Sequence, residues 1–140
     1  AAVVIVLGTI VTSTGPHGGD PTAPRFHFSL HAVAQMHGTS VEVLLALCCL
    51  ALWRLVRGGA PPDVLRRAEV LLVVLFAQGA IGYAQYLSGD PAWVVQLHII
   101  GATAVVVAVL RFNLILTGGP ARVTAAVSPA EPAQAPALTR

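Results

Sequence analysis

Three long apolar runs decide what this chain can become. Leu30 to about Val56, about Leu65 to Leu87, and about Pro91 to Leu116 each reach the roughly 20 residues an α-helix needs to cross a bilayer. A fourth run, Ala1 to about Ser13, is apolar but shorter, and reads as a helix that has lost its beginning. No basic segment precedes it, so it does not read as a signal peptide. Hydrophobic residues make up 56% of the 140 and charged residues only 10%, which leaves too little polar surface to cover a soluble globule. The expected class is all-α: a polytopic transmembrane bundle of four helices, the first truncated.

The stretches between the runs behave as breakers. "TGPHGGDPTAPRFHF" is rich in Gly and Pro and reads as a loop. "RGGAPPD" from Arg57 ends one helix before the next begins. Asp90 and Pro91 offer the last helix an N-cap acid and a first-turn proline. From Gly118 onward the chain is a Pro/Ala-rich polar tail, expected to be disordered and cytoplasmic. The domain division is therefore 1–117 for the membrane part and 118–140 for the tail.

The basic residues are eight arginines and no lysine, with a net charge of +2, too small and too scattered for a nucleic-acid surface. Arg54, Arg57, Arg66 and Arg67 crowd the connection between the second and third long segments. Arg111 and Arg122 flank the end of the fourth, on the same side, while Arg25, Asp20 and Asp90 lie opposite. The positive-inside rule makes the arginine-rich side cytoplasmic, as expected for a multi-pass protein of the bacterial inner membrane. Cys48 and Cys49 are adjacent within an apolar run; they lack metal-knuckle spacing and read as small packing residues.

Depth gives the first chemical clue. His37 follows Leu30 by seven residues, and His98 follows Pro91 by seven, so both imidazoles lie roughly 10 Å into their helices from the same side at 1.5 Å per residue. Ala34 and Ser40 flank His37, and Gly101 and Ala102 follow His98; small residues at these helical spacings leave room for something flat. Two level histidines on different helices point to axial ligation of haem iron in a helix bundle. The bland reading is that each histidine hydrogen-bonds a neighbouring helix or lines a polar cavity. Structural zinc is disfavoured because two histidines are too few and no carboxylate or thiolate stands level with them.

Other polar residues are less decisive. Glu42 lies about 18 Å down its helix, where a charge costs about 3 kcal/mol on insertion scales; an interhelical hydrogen bond and a functional role stay equally open. Gln78, Gly82 and Gln85 share a face of the third long helix, which close packing with polar glue explains as well as a cofactor pocket does. Arg25, His17 and His27 lie on the outer side, and Arg25 could bind haem propionates bidentately. His31 sits roughly 9 Å above His37 and reads as interfacial.

The stretches "VVIVLGTIVTSTGPHGGD", "AVAQMHG" and "FAQGAIGYAQYLSGDPAWVVQLHIIGA" together resemble the C-terminal half of the haem A synthase family, from about Val3 to Leu116. The resemblance implies eight helices in two pseudo-symmetric halves, with His37 and His98 as axial ligands of a haem b in this half. It also implies oxidation of a haem O methyl group to the formyl group of haem A in the other half, with water-derived oxygen and an external electron acceptor. Haem O is then the substrate, membrane lipid the surroundings, and haem O synthase, the cytochrome oxidase assembly machinery and further copies of the chain are candidate partners. The family's catalytic glutamate precedes the first histidine of the N-terminal half by three residues; Ala34 holds the matching position here, so the catalytic residues are expected outside this chain, and the piece alone is expected to be inactive. A cysteine pair known from an outer loop of some members has no counterpart between Gly15 and Ser29. Two other classes stay open: a b-type cytochrome subunit passing electrons to or from quinone, and a haem-free packing or assembly protein.

Overall fold

The structure, a computed structural model, describes residues 1–16, 22 and 24–118. Four helices account for nearly all of them: α1 (Ala2–Thr14), α2 (Leu30–Arg57), α3 (Pro62–Leu87) and α4 (Ala92–Leu116). The last three are 28, 26 and 25 residues long and apolar enough to cross a membrane; α1 has 13 residues. The chain is therefore an all-helical membrane protein. His17, Asp20 and the tail from residue 119 lie outside the described residues.

Local chemistry sets the ends of these helices. The Ser29 hydroxyl accepts from the Ala32 backbone N–H at 3.4 Å at the start of α2, one of the four donors that a helix N-terminus leaves open. At its other end Arg54 and Arg57 occupy the last turn, where cations complement the helix dipole. Gly59 then takes φ +66°, a left-handed conformation that glycine adopts without a Cβ clash. α3 begins at Pro62, three residues before the apolar run suggests, because proline suits the first helical position and Asp63 favours the first turn.

The start of α4 departs from expectation. Asp90 does not cap it: Pro91 occupies the N-cap and makes no side-chain cap bond. Asp90 is instead a non-glycine residue at φ +57°, and its carboxylate accepts from Gln85 Nε2 at 3.0 Å. The Asp90 N–H also donates to the Gln85 carbonyl at 3.0 Å. Aspartate tolerates the left-handed region better than most residues, and two bonds to one glutamine hold it there.

Connections of four residues between α2 and α3 and between α3 and α4 make these neighbours antiparallel. α1 packs on α2, α2 on α3 and α3 on α4. The tightest core joins Leu71 and Leu75 of α3 to Val105 and Ala108 of α4, with Leu44, Leu45 and Cys48 of α2 against it. Cys49 is exposed. The residues buried as a whole are all apolar among those described, while Leu47, Phe76, Trp93 and Ile100 are over 40% exposed. That inversion suits a protein solvated by acyl chains, in which close packing rather than water exclusion joins the helices.

Candidate functional site

The two membrane histidines meet. His37 on α2 and His98 on α4 have ring centroids 6.4 Å apart with their planes at 86°. The main helix contacts join α1 to α2, α2 to α3 and α3 to α4, so the pair links two helices that are not consecutive in the chain. His37 is the eighth residue of α2 and His98 the seventh of α4; the helical rise alone places them level.

Each ring rests on a glycine of the preceding helix. A Cβ at Gly8 of α1 would stand 3.2 Å from His37 Cε1, and one at Gly82 of α3 would stand 3.0 Å from His98 Cε1. Both distances are tighter than ordinary van der Waals contact, so a side chain at either place would push the imidazole aside. The room expected at Gly101 is used differently: the Gln78 amide fills it, at a point a Gly101 Cβ would overlap. From there Gln78 Nε2 donates to the His98 carbonyl at 2.5 Å. Ser40 Oγ donates to the His37 carbonyl at 2.7 Å. Gln78 and Gly82 therefore serve both packing and the histidine site, the two uses the sequence left undivided.

The hydrogen bonds define the chemistry open to each imidazole. His37 Nδ1 lies 3.1 Å from the Val4 carbonyl oxygen. A carbonyl only accepts, so Nδ1 carries the proton and the Nε2 lone pair is left available as a ligand or base. His98 Nδ1 is buried without a hydrogen-bond partner. No group of three or more His, Cys, Asp or Glu side chains suited to a metal ion occurs among the described residues. The pair is thus a two-imidazole arrangement with no acid in it.

Compared with known proteins, the chain matches no family model, no curated protein and no solved structure. Geometry and chemistry alone must carry the function.

Nearby polar residues form a second layer. Tyr83 OH donates to Glu42 Oε1 at 2.7 Å. Side chains lean toward their own helix N-terminus, so in antiparallel α2 and α3 these two lean toward each other although their Cα positions are offset. Of the two readings of Glu42, the interhelical hydrogen bond is the one present. His31 Nδ1 lies 2.7 Å from Tyr86 OH, tying the start of α2 to the end of α3. Arg25 donates from a guanidinium nitrogen to the Gly15 carbonyl at 2.7 Å, closing the loop onto the end of α1. At this end all four helices surround a cavity of about 30 Å³ lined by Thr12, Leu30, Gln85, Asp90 and Val95. Gln85 Oε1 is buried there without a partner. His27 is exposed.

The contributions of Gly8 and Val4 went unread in the sequence. A glycine four residues after Val4 in an apolar run is a recognisable signal for close helix approach, but which neighbour approaches is set by the bundle.

Proposed function

We propose that this chain is the haem-carrying half of a haem A synthase, with His37 and His98 as the axial ligands of a haem b. The observation that supports the reading most is the pairing itself: two imidazoles from membrane helices not consecutive in the chain, centroids 6.4 Å apart, each seated on a glycine. Bis-imidazole ligation needs this donor set and no third ligand. The hydrogen bond to the Val4 carbonyl fixes the His37 tautomer and frees Nε2, the usual outer support of a metal-bound histidine.

A haem held here supplies one-electron chemistry, and its potential is tuned by ligand identity and burial. The chain's part is to orient the imidazoles, support them from Val4 and Gln78, and surround them with apolar residues. In the synthase reading, the methyl group of haem O is oxidised in the companion half, for cytochrome oxidase assembly, and electrons leave by an external acceptor. The arginine-rich end would face the cytoplasm in a bacterial inner membrane.

A second reading has its own support. Ala34 stands where an acid would serve catalysis, and the histidine pair has no acidic neighbour that completes a three-group cluster. An electron-transfer b-type cytochrome needs nothing more.

The reduced-minus-oxidised optical spectrum of the protein purified after haem-replete expression, beside His37→Ala and His98→Ala, tests the ligand set. A low-spin b-type spectrum that is lost or turns high-spin in both variants is the expected outcome; a haem-free wild type, or a spectrum surviving both changes, refutes it. Haem extracted from cells carrying the gene at its natural length then separates the readings: conversion of haem O to haem A requires the synthase, and its absence with intact low-spin haem favours the electron carrier.

A further inference from the structure

Beginning two residues beyond His98 and running toward the arginine-rich end, α3 and α4 form a groove of about 430 Å³. Its walls are Val70 and Val74 of α3 and Ile100, Ala104 and Val107 of α4, and it ends at Arg111. From Ile100 to Arg111 it runs about 17 Å along α4 at 1.5 Å per residue. Alanines at 104 and 108 keep its floor low where the helices are held together by Leu71, Leu75 and Val105.

The far end of this groove carries two arginines. Arg67 of α3 donates to the Arg111 carbonyl at 3.3 Å, which brings a second guanidinium to the mouth. Among the described residues neither the Arg67 nor the Arg111 guanidinium meets a carboxylate. Arg57, by contrast, is already engaged, 4.9 Å over the Trp53 ring. Arg111 lies five residues inside the end of α4, at a depth where an unpaired cation is costly and seeks an anion or the interface.

We propose that this groove is a specific site for an anionic phospholipid: one acyl chain lies along Ala104 and Val107, and the headgroup phosphate sits against Arg67 and Arg111. A largely apolar groove ending at two guanidinium groups that meet no carboxylate among the described residues matches the shape and charge of such a lipid, and basic pockets between membrane helices bind anionic headgroups. Arginine holds phosphate bidentately. Neither His37 nor His98 lines this groove.

Native mass spectrometry of the detergent-purified chain tests it, with dioleoylphosphatidylglycerol and dioleoylphosphatidylcholine added in parallel. Phosphatidylglycerol should be retained in preference to phosphatidylcholine. A basic residue at a membrane surface is worth about fivefold, so losing both arginines in R67Q/R111Q should lower that preference about 30-fold. Ala104→Phe should displace the lipid by filling the channel while both arginines remain. Helix content by circular dichroism confirms that each variant is folded. Equal retention of the two lipids, as when a second copy covers the groove, overturns the site. So does a preference that survives R67Q/R111Q, or an adduct unaffected by Ala104→Phe.

Discussion

Replacing Gly82 by alanine isolates the packing of the histidine site from everything else a glycine does. The new Cβ would stand 3.0 Å from His98 Cε1, with Nδ1 and Nε2 at 3.6 and 3.7 Å. Restoring an ordinary contact of 3.4 Å requires the ring or α3 to move about 0.4 Å, a small overpacking of the kind that costs about 1–3 kcal/mol in a packed core. Alanine also gains about 1 kcal/mol of helix propensity over glycine, which would mask part of the loss. Gly79, three residues away on the same helix, has nothing within 4 Å of its Cβ position and supplies the control. Gly79→Ala takes the propensity gain alone, so the difference between the two variants removes it. Thermal melting in detergent, followed by circular dichroism, should place Gly82→Ala below Gly79→Ala. At about 4 °C per kcal/mol for a chain of this size, the gap is about 4–12 °C. In haem-loaded protein, the Gly82 variant alone should also alter the low-spin spectrum. Equal melting temperatures would refute the claim that Gly82 seats the His98 ring.

Two further outcomes follow from side chains near the pair. Tyr83→Phe and Glu42→Ala should each destabilise the protein, and a double-mutant cycle should show the two losses to be coupled, as for interhelical bonds in membranes; strict additivity would show that the 2.7 Å bond contributes nothing. Gly101→Ala should be destabilising because its Cβ overlaps the Gln78 amide, and Gln78→Ala should relieve most of that loss in the double variant. No rescue would mean that Gly101 is required for something other than the glutamine.

The spans and the level of the histidines were legible because each depends on distance along one helix. Hydrophobic length fixes what crosses a bilayer, and a 1.5 Å rise turns sequence offset into depth. Contacts between helices were less legible. In these helices apolar residues cover all faces, so periodicity does not mark the inward side as it does in a water-soluble bundle. Gly101 and Ala102 were read as the space beside His98, yet Gly82 from α3 supports that ring and Gln78 occupies the space over Gly101. Asp90 misled for a different reason: the Asp-Pro pair carries a helix-start signal, but Gln85, five residues earlier, takes its carboxylate.

The internal correspondence between the two helical hairpins argues that the histidine pair is a built arrangement. In α1–α2, Gly8 supports His37, and the residue four before that glycine, Val4, bonds the histidine through its carbonyl. In α3–α4, Gly82 supports His98, and the residue four before it, Gln78, bonds the histidine through its amide. Seven residues beyond each supporting glycine, another glycine, Gly15 or Gly89, follows the helix end. Two histidines retained merely as polar glue would need neither the same depth nor the same glycine contact. The difference between the hairpins is informative too. Val4 satisfies the His37 ring itself, whereas Gln78 satisfies only the His98 backbone and leaves the ring nitrogen unpaired. The two hairpins thus hold their rings differently: His37 by a carbonyl on Nδ1 as well as by its glycine, His98 by the Gly82 contact and a bond to its backbone.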